Sequence, residues 1–305
     1  MRRPGSQAIK EFVAERRFDT TPSPRQDRAY PKLTIVTPSF NQAQFLERTI
    51  LSVLNQSYPE LEYIIIDGGS TDGSVEIIKK YERWLASWVS ERDAGQGDAL
   101  NKGFRRATGE LVGWQNSDDI YLPGTFREVA EVFVAHPACD IVFANRLDVD
   151  EDDNVIGESR FTPFSDVGHW YDGMSLSNQS TFWRRHLFAQ IGMIDASYHL
   201  AMDYEFFLRA ARKHARFKHV RRYWGASRKH GSSKESTLFA TRMGPECDRI
   251  EQMYGGKTRW ATPLKTYALV RRGLYYLWQG DWDYVARGLR RRGLELIDRL
   301  RLGSS

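Results

Sequence analysis

Residues 33–67 read LTIVTPSFNQAQFLERTILSVLNQSYPELEYIIID, and their apolar pattern predicts a strand, a helix and a second strand. The first strand is the β-branched run LTIVTPS, which ends near Pro38. The helix follows in AQFLERTILSVLNQ, where apolar side chains at three- and four-residue steps share one face. The second strand is EYIIID, and two glycines end it. A strand, a helix and a strand with short connections predict a parallel pair joined by a right-handed crossover.

The same alternation continues to about residue 150. Further helices are predicted in residues 73–84, 97–107 and 122–136, and further strands in residues 87–92, 110–119 and 139–150. Repeated strand–helix units bury both faces of a sheet. The sequence therefore predicts an α/β fold with a Rossmann-like, mostly parallel central sheet and helices on both faces.

Unusual polar residues follow four of these strands. They are Thr37 and Pro38, Asp67, the segment 93–98, and the segment 116–119. The carboxyl ends of parallel strands meet at one edge of a sheet, and open α/β sheets bind their ligands there. We therefore expect these residues to form a single polar site.

Asp118 and Asp119 are adjacent acids at the end of the fourth strand. Neighbouring carboxylates repel each other, and a hard divalent cation such as Mg²⁺ or Mn²⁺ relieves that repulsion. A solvated turn with a helix cap is the simpler interpretation of two adjacent acids in isolation. The other polar strand ends nearby favour the cation site.

Neither of two common nucleotide-binding motifs is complete in this sequence. Gly95 and Gly97 follow a strand and open a helix, but Leu100 occupies the place of the third glycine in G-x-G-x-x-G. A P-loop is excluded because the chain contains no GxxxxGK[ST] sequence. A Rossmann oxidoreductase is therefore only an alternative interpretation.

Composition indicates a globular chain from a reducing compartment. Apolar residues make up 41% of the 305 residues, which excludes wholesale disorder. The cysteines, Cys139 and Cys247, lie too far apart for a metal motif, and two are too few for a disulfide framework. The charged start of the chain does not resemble a signal peptide, and no apolar run is long enough to span a membrane. We expect a cytoplasmic protein.

The net charge of +5 is unevenly distributed. Residues 1–30 carry +3 and residues 257–305 carry +7, whereas residues 31–256 carry −5. An acidic central part argues against a nucleic-acid partner. We expect a flexible polar N-terminal segment over residues 1–30, with at most a short helix near residues 7–17. A central domain covers 31–256, and a basic amphipathic helical tail covers 257–305.

The alternation weakens beyond residue 145. The acidic run 148–153 is interpreted as a solvated hairpin, and residues 226–236, with His230, as a mobile loop. A helix is predicted in MDYEFFLRAARKH, where Asp203 and Glu205 lie in the first turn. Acids in that position are often stabilised simply by the helix dipole.

Taken together, the motifs resemble those of family 2 glycosyltransferases with the GT-A fold. The matching stretches are TIVTPSFNQAQFLERTILSVLNQSYPELEYIIIDGGSTDGS, DALNKGFRRATGELVGWQNSDD, GMIDASYHLAMDYEFFLRA and RKHGSS. They occur in family order and cover about two-thirds of the chain, from Leu33 to Ser233. The resemblance implies transfer of a sugar from a nucleotide-diphosphate donor with inversion.

The resemblance also implies a role for each matching residue. Asp203 is implied as the general base, and Asp119 and His230 as residues of the metal site. The residues implied on the nucleotide-sugar side are Thr37, Pro38, Asp67, Asp98 and Asp118. Two positions depart from the family pattern. Asn116 replaces the first acid of D-x-D-D, and Leu100 stands where some members carry the arginine of A-R-N.

We expect residues 31–145 to form the nucleotide-sugar-binding half of the domain and residues 146–256 the acceptor half. Gln179 and Trp114 are expected on the acceptor side. The expected cofactor is Mn²⁺ or Mg²⁺, the donor a UDP- or dTDP-sugar, and the acceptor a glycan or a lipid-linked sugar.

The expected role is in surface or extracellular polysaccharide synthesis or in glycolipid synthesis. The tail either packs over the catalytic domain or lies on an anionic membrane, at the inner face of the cell membrane. The main alternative is a non-catalytic nucleotide- or glycan-binding protein of the same fold. A glycosidase using Asp118 and Asp203 is disfavoured by the nucleotide-side residues.

Overall fold

The computed structural model describes residues 3–18, 30–255, 261–288 and 290. The chain divides into two compact units, one formed by residues 1–164 with 176–256 and the other by residues 165–175 with 257–305. The strands, all in the first unit, are β1 (Leu33–Ser39), β2 (Leu61–Asp67), β3 (Ser87–Ser90), β4 (Leu111–Trp114), β5 (Ile120–Tyr121), β6 (Ile141–Val149), β7 (Val155–Ser159), β8 (Thr181–Arg184) and β9 (Phe217–Arg228).

The helices of the first unit are α1 (Ser6–Ala14), α2 (Ala43–Leu54), α3 (Ser74–Tyr81), α4 (Gln96–Arg106), α5 (Thr125–Ala135), α7 (Leu187–Ile191), α8 (Met202–Arg212), α9 (Lys234–Leu238) and α10 (Gly244–Met253). Those of the second unit are α6 (Asp166–Asp172) and α11 (Ala261–Trp278). The predicted alternation of strands and helices up to β6 is confirmed.

The strands form one sheet in the order β3-β2-β1-β4-β8-β6-β9-β5, and β7 pairs with β6. The first four strands of this order are parallel, as the sequence predicts. The fifth predicted strand, β6, does not continue that parallel run. Strand β8 lies between β4 and β6 and is antiparallel to both, so the far half of the sheet is mixed. The α/β fold class is confirmed.

Helices pack closely on the parallel part of the sheet. Every residue of β1 is buried, as a strand covered on both faces requires. Helix α4 lies so close to β1 that a Cβ atom at Gly103 would stand 2.3 Å from Val36 Cγ1. Only glycine fits at that position without moving the helix.

The N-terminal segment is not flexible throughout. Helix α1 buries Ile9, Phe12 and Val13 in an apolar cluster with residues of β5 and β6. The Asn55 side chain donates to Glu15 O at 2.8 Å and accepts from Arg17 N at 2.7 Å. An apolar face of three residues and these hydrogen bonds hold the helix. The sequence predicts a short helix near residues 7–17, and the structure corrects only the expectation that this part of the segment is flexible. Residues 1, 2 and 19–29 lie outside the described part.

In the second unit, α11 packs against α6, and Arg272 pairs with Asp172 at 2.6 Å. None of the helices in the described part of the chain combines the length and apolar content that crossing a bilayer requires. The predicted helical tail is present as α11, whereas residues 291–305 lie outside the described part.

The sheet contains a buried carboxylate that makes folding sensitive to acid. Burial alone would raise the pKa of Glu62, but hydrogen bonds from Lys32, Thr108 and Thr34 lower it to about 2. The pKa in the folded state thus lies below that in the unfolded state. The associated stability is present above about pH 4.5 and is lost as the pH falls towards 2.

We expect Glu62→Gln to lower the free energy of unfolding by about 1–2 kcal/mol at pH 7, a value discounted for partial solvent screening. The difference between the variant and the wild type should shrink between pH 4.5 and 2. Urea unfolding across this pH range measures it, with the exposed Glu60→Gln as control. A difference that does not change with pH would contradict the assignment.

Candidate active site

The turn after β4 carries a buried carboxylate. Asp119 is 3% exposed, and its carboxylate accepts hydrogen bonds from Asn116 Nδ2 at 2.9 Å, Gln179 Nε2 at 2.7 Å and Arg228 N at 2.9 Å. Burial, and after it the charge of Asp118, raise the pKa of Asp119 against these hydrogen bonds. Asp119 therefore lies behind the surface of the site and is held from three sides.

Asp118 lies in front of Asp119 and faces a histidine. Asp118 Oδ2 is 3.0 Å from His230 Nε2, and the His230 ring packs on Phe45 with centroids 4.5 Å apart. His230 Nδ1 is 2.9 Å from Ser232 Oγ, so both ring nitrogens have partners. The side chain of His230 is buried, whereas that of Asp118 is 19% exposed. A carboxylate oxygen and an imidazole nitrogen thus meet where the carboxylate side chain is partly exposed to solvent.

A buried arginine fixes the position of this acidic turn. Arg228 Nε donates to Asp118 O at 2.8 Å, and Arg228 Nη1 donates to Asp153 Oδ1 at 2.5 Å. Arg48 Nη1 donates to the other oxygen of Asp153 at 2.7 Å. Desolvation lowers the pKa of Arg228, which the charge of Asp153 opposes. Because Asp153 is 3% exposed, the expectation of a solvated hairpin is wrong at this residue.

The segment around His230 is also more ordered than expected. Residues 226–228 belong to β9, and Lys234 begins α9. Lys229 N donates to Val149 O at 2.8 Å, which continues the pairing beyond the strand end. Residues 226–228 and 234–236 therefore lie in a strand and a helix, which corrects the expectation of a loop over the whole of residues 226–236.

Asn116 connects the acidic turn to the start of α4. Its Oδ1 accepts from Trp114 Nε1 at 2.8 Å and from Gln96 Nε2 at 2.7 Å. Gln96 Oε1 in turn accepts from Lys234 Nζ at 3.0 Å. A carboxylate at position 116 could also accept these two hydrogen bonds, but only an amide can in addition donate to Asp119, as Asn116 Nδ2 does at 2.9 Å.

Lys234 brings an ammonium group into this acidic region. The residue as a whole is exposed, yet desolvation around its ammonium lowers its pKa, and the charges of Asp118, Asp93 and Glu246 oppose that effect. In the part of the chain that the structure describes, no carboxylate lies within ion-pair distance of Lys234.

The residues predicted at the ends of β1 and β2 have internal partners. Thr37 Oγ1 lies 3.1 Å from Tyr63 OH within the core, and Pro38 is paired with Ile66 inside the sheet. The Asp67 carboxylate accepts from Ser70 N at 2.9 Å and from Ser90 Oγ at 2.7 Å. In this structure Asp67 shapes the turn after β2.

Asp98 lies in the first turn of α4, where its carboxylate accepts from Ala94 N at 3.2 Å. It also lies 3.5 Å from Lys102 Nζ. Asp93, just before this helix, approaches Gly68 so closely that a Cβ atom there would stand 2.8 Å from Asp93 Oδ2. The loops after β2 and β3 are therefore adjacent, as the strand-edge argument predicts.

Asp203 lies in the first turn of α8, where its Oδ1 accepts from Tyr204 N at 2.8 Å. The segment before the helix is fixed by Glu246, whose carboxylate accepts three backbone N–H groups from residues 199–201 at 2.8–2.9 Å. Glu246 also contributes to the electrostatic environment of Lys234.

One hydrogen-bonded network contains several of the residues that the sequence singled out. They are Trp114, Asn116, Asp118, Asp119, Gln179 and His230. Gln179 is held against β9, since a Cβ atom at Gly225 would stand 1.9 Å from Gln179 O. Trp114 and Gln179 are both buried, so in this structure they support the acidic turn.

Sequence reasoning missed four residues that position this network. They are Gln96, Arg228, Lys234 and Glu246. One available signal was the aromatic and β-branched run FKHVRRYW, whose continuation as a strand would have carried Arg228 to the acidic turn. The sequence offers no comparable signal for Glu246, which accepts from the backbone of residues 199–201, 45–47 residues earlier in the chain.

Comparison with known proteins gives consistent results. A model described as "Glycosyl transferase family 2" matches residues 34–202. An uncharacterised glycosyltransferase of Mycobacterium tuberculosis H37Rv is 32% identical over 186 residues, which cover 59% of this chain and 69% of the relative. A PGL/p-HBAD biosynthesis glycosyltransferase of the same strain is 29% identical over 202 residues, covering 63% and 75%.

Two solved structures with the same fold share 18% and 19% sequence identity with this chain. Staphylococcus aureus TarS 1–349 in complex with UDP has a TM-score of 0.57 at 19% identity, covering 78% of this chain and 70% of that one. The mannosyltransferase PcManGT of Pyrobaculum calidifontis, in complex with GDP-Man and Mn²⁺, has a TM-score of 0.56 at 18% identity, covering 87% and 81%. These similarities confirm the GT-A fold.

Proposed function

The chain belongs to glycosyl transferase family 2, and from that membership we propose that it moves a sugar from a nucleoside-diphosphate donor to an acceptor hydroxyl at the network around Asp118. The observation that carries the proposal is the meeting of Asp118 and His230 at the solvent side of the buried Asp119. The family match makes the chain a glycosyltransferase, so the oxidoreductase alternative is not retained.

The donor side of the proposal rests on the loops after β1, β2 and β3. We assign Thr37, Pro38, Asp67 and Asp98 to the nucleotide-sugar side, with Asp67 shaping the turn on which the base lies. TarS has been solved with UDP and PcManGT with GDP-Man, so relatives of this fold differ in the base they accept. We propose a UDP- or dTDP-sugar for this chain.

The side chains of Asp118 and His230 are suitable ligands for a divalent cation. Mg²⁺ and similar ions bind through one or two protein ligands together with substrate phosphates, so a site of three protein ligands is not required. In the described residues no group of three such side chains occurs, which agrees with this type of site. A carboxylate suits both Mg²⁺ and Mn²⁺, and PcManGT has been solved with Mn²⁺.

Asp118 and His230 would hold the cation, and Asp119 would act behind them. The three hydrogen bonds to Asp119 and its burial support a role in orienting the turn rather than in direct contact. A bound cation supplies positive charge that offsets the charge developing on the departing diphosphate. Asp118 additionally faces the ribose side of the donor in this proposal.

Asp203 acts as the general base. The acceptor hydroxyl gives its proton to the Asp203 carboxylate while its oxygen bonds to the anomeric carbon. The bond from that carbon to the diphosphate breaks, and its electron pair leaves with the diphosphate. A single displacement of this kind inverts the configuration at the sugar. General-base assistance contributes roughly 10²–10⁴-fold to such a step.

Lys234 binds the donor diphosphate in this account. Its Nζ is held by Gln96 beside the acidic turn and has no ion pair in the described part of the chain. We expect Lys234→Ala to raise the KM for the donor about tenfold, the size typical of one charge-assisted hydrogen bond. Lys234→Arg, which keeps the charge, is the matched control. Equal donor KM values in Lys234→Ala and the wild type would contradict the role.

The acceptor is proposed to be a glycan or a lipid-linked sugar in polysaccharide or glycolipid synthesis, near Trp114 and Gln179. We further propose a cytoplasmic protein that contacts the inner face of the cell membrane through its basic tail.

A panel of uridine, thymidine and guanosine diphosphate sugars tests the donor class. Each is added with and without Mn²⁺, and the shift in Tm is measured together with release of the nucleoside diphosphate. We expect the largest shift, and slow hydrolysis, with a uridine or thymidine donor plus Mn²⁺. Binding without any hydrolysis or transfer would favour the non-catalytic alternative, and no binding would contradict the proposal.

A further inference from the structure

Helix α11 exposes a row of large apolar side chains to solvent. Tyr267, Val270, Leu274 and Trp278 follow one another at steps of three, four and four residues, which places them on one face of the helix. Their exposed fractions run from 53% to 80%. We call this set the apolar stripe.

The apolar stripe is not the face by which α11 packs within its own unit. The buried residues of the helix are Ala268 and Tyr276, and Arg272 between them pairs with Asp172 of α6. These three residues are spaced by four and define a second face, roughly opposite the stripe. The helix therefore has an apolar face beyond the one that its packing uses.

Such clustering is uncommon on the surface of a soluble domain. Single exposed apolar side chains are ordinary, whereas contiguous groups mark interaction sites. Five of the eleven large apolar side chains exposed in the described residues lie between Tyr267 and Trp282. The concentration of exposed apolar side chains on one short segment indicates a binding surface.

The charge and the residue types of the segment identify that partner. Residues 257–305 carry 11 Lys and Arg against 4 Asp and Glu. Trp and Tyr are the side chains that favour the level of the lipid headgroups, and basic residues are attracted to anionic lipids. We propose that the apolar stripe of α11 docks on an anionic lipid bilayer and enters its headgroup region. This names the surface for the membrane contact proposed above and rests on that part of the proposed function.

A second copy of the chain fits the same stripe less well. Two tails that each carry a net charge of +7 would repel one another on self-association. An anionic bilayer instead attracts every basic residue near its surface. Charge complementarity thus favours the lipid surface.

Flotation of the full chain with vesicles tests the docking surface without donor or acceptor. The vesicles contain phosphatidylglycerol with phosphatidylethanolamine, and pure phosphatidylcholine serves as the neutral comparison. We expect the wild type to float with anionic vesicles and the double variant Leu274→Ser/Trp278→Ser to bind about tenfold more weakly. Ile156→Ser, which removes an equally exposed apolar side chain from β7, should float like the wild type.

Equal flotation of the double variant and the wild type would overturn the proposal. So would a wild-type dimer that the double variant converts to a monomer, because the stripe would then be a self-association surface. Nucleotide-induced Tm shifts in both proteins separate this outcome from failure of the proposed function. If only the membrane proposal is wrong, the nucleotide-induced Tm shifts are still observed. If only the transferase proposal is wrong, the difference in flotation is still observed.

Discussion

Asp203→Asn is expected to abolish sugar transfer while leaving donor binding intact. The amide has nearly the shape of the carboxylate but cannot take the proton of the acceptor hydroxyl. We expect kcat to fall by roughly 10²–10⁴-fold, whereas the Kd for the nucleotide sugar changes by no more than a factor of about two. Release of nucleoside diphosphate measures the first quantity, and calorimetric titration the second.

The matched control is Asp152→Asn, the same chemical change on the exposed part of the β6–β7 hairpin. It should leave both quantities unchanged. Near-normal turnover in Asp203→Asn would remove the general base from the account. Loss of donor binding would instead show that Asp203 acts on the donor side.

Asp118→Asn is expected to weaken binding of the cation and to lower activity. The substitution keeps a hydrogen-bonding partner for His230 but removes the negative charge next to its Nε2. We expect activity at saturating donor to fall by roughly 10²–10³-fold, the size typical of one lost charge-stabilising contact. The Mn²⁺ concentration for half-maximal activity should rise at the same time.

Titration of activity with Mn²⁺ measures both effects, and His230→Ala should behave like Asp118→Asn. Asp152→Asn again serves as the control, because it removes a carboxylate that belongs to no part of the network. An unchanged Mn²⁺ dependence in Asp118→Asn would show that the cation is held elsewhere, for which Asp119 is the next candidate.

Apolar periodicity was sufficient to predict the first half of the fold. The runs that became β1, β2 and β4 are buried on both faces, so their sequences are mostly apolar and easily recognised, and Glu62 and Asp67 of β2 are the charged residues among them. Parallel pairing then brings their carboxyl ends together regardless of side-chain detail. The adjacency of Gly68 and Asp93 follows from that topology alone.

The second half depends on contacts between residues far apart in the chain. Strand β8 enters between β4 and β6 although it has only four residues, and its place is set by pairing on both sides. Arg228 meets Asp153 across 75 residues, and Arg48 meets it across 105. Local sequence shows charged residues in a loop, and only the tertiary structure buries and pairs them.

The same limit explains the environment of the candidate site residues. The family resemblance implied that Asp118, Asp119 and His230 lie together. Their local sequence, however, does not show that Asp119 is buried and Asp118 partly accessible. That difference comes from Gln179 and from the backbone of Arg228, which enclose Asp119 and leave Asp118 facing His230.

The most direct test of the account is calorimetric titration of the full chain with UDP, with and without Mn²⁺. A strand-edge site that holds a nucleoside diphosphate through a cation predicts saturable binding at one site, tightened at least about tenfold by Mn²⁺. Thymidine and guanosine diphosphates are titrated in parallel to cover the other bases. Absence of binding by all three nucleotides, or an affinity that Mn²⁺ leaves unchanged, would contradict it.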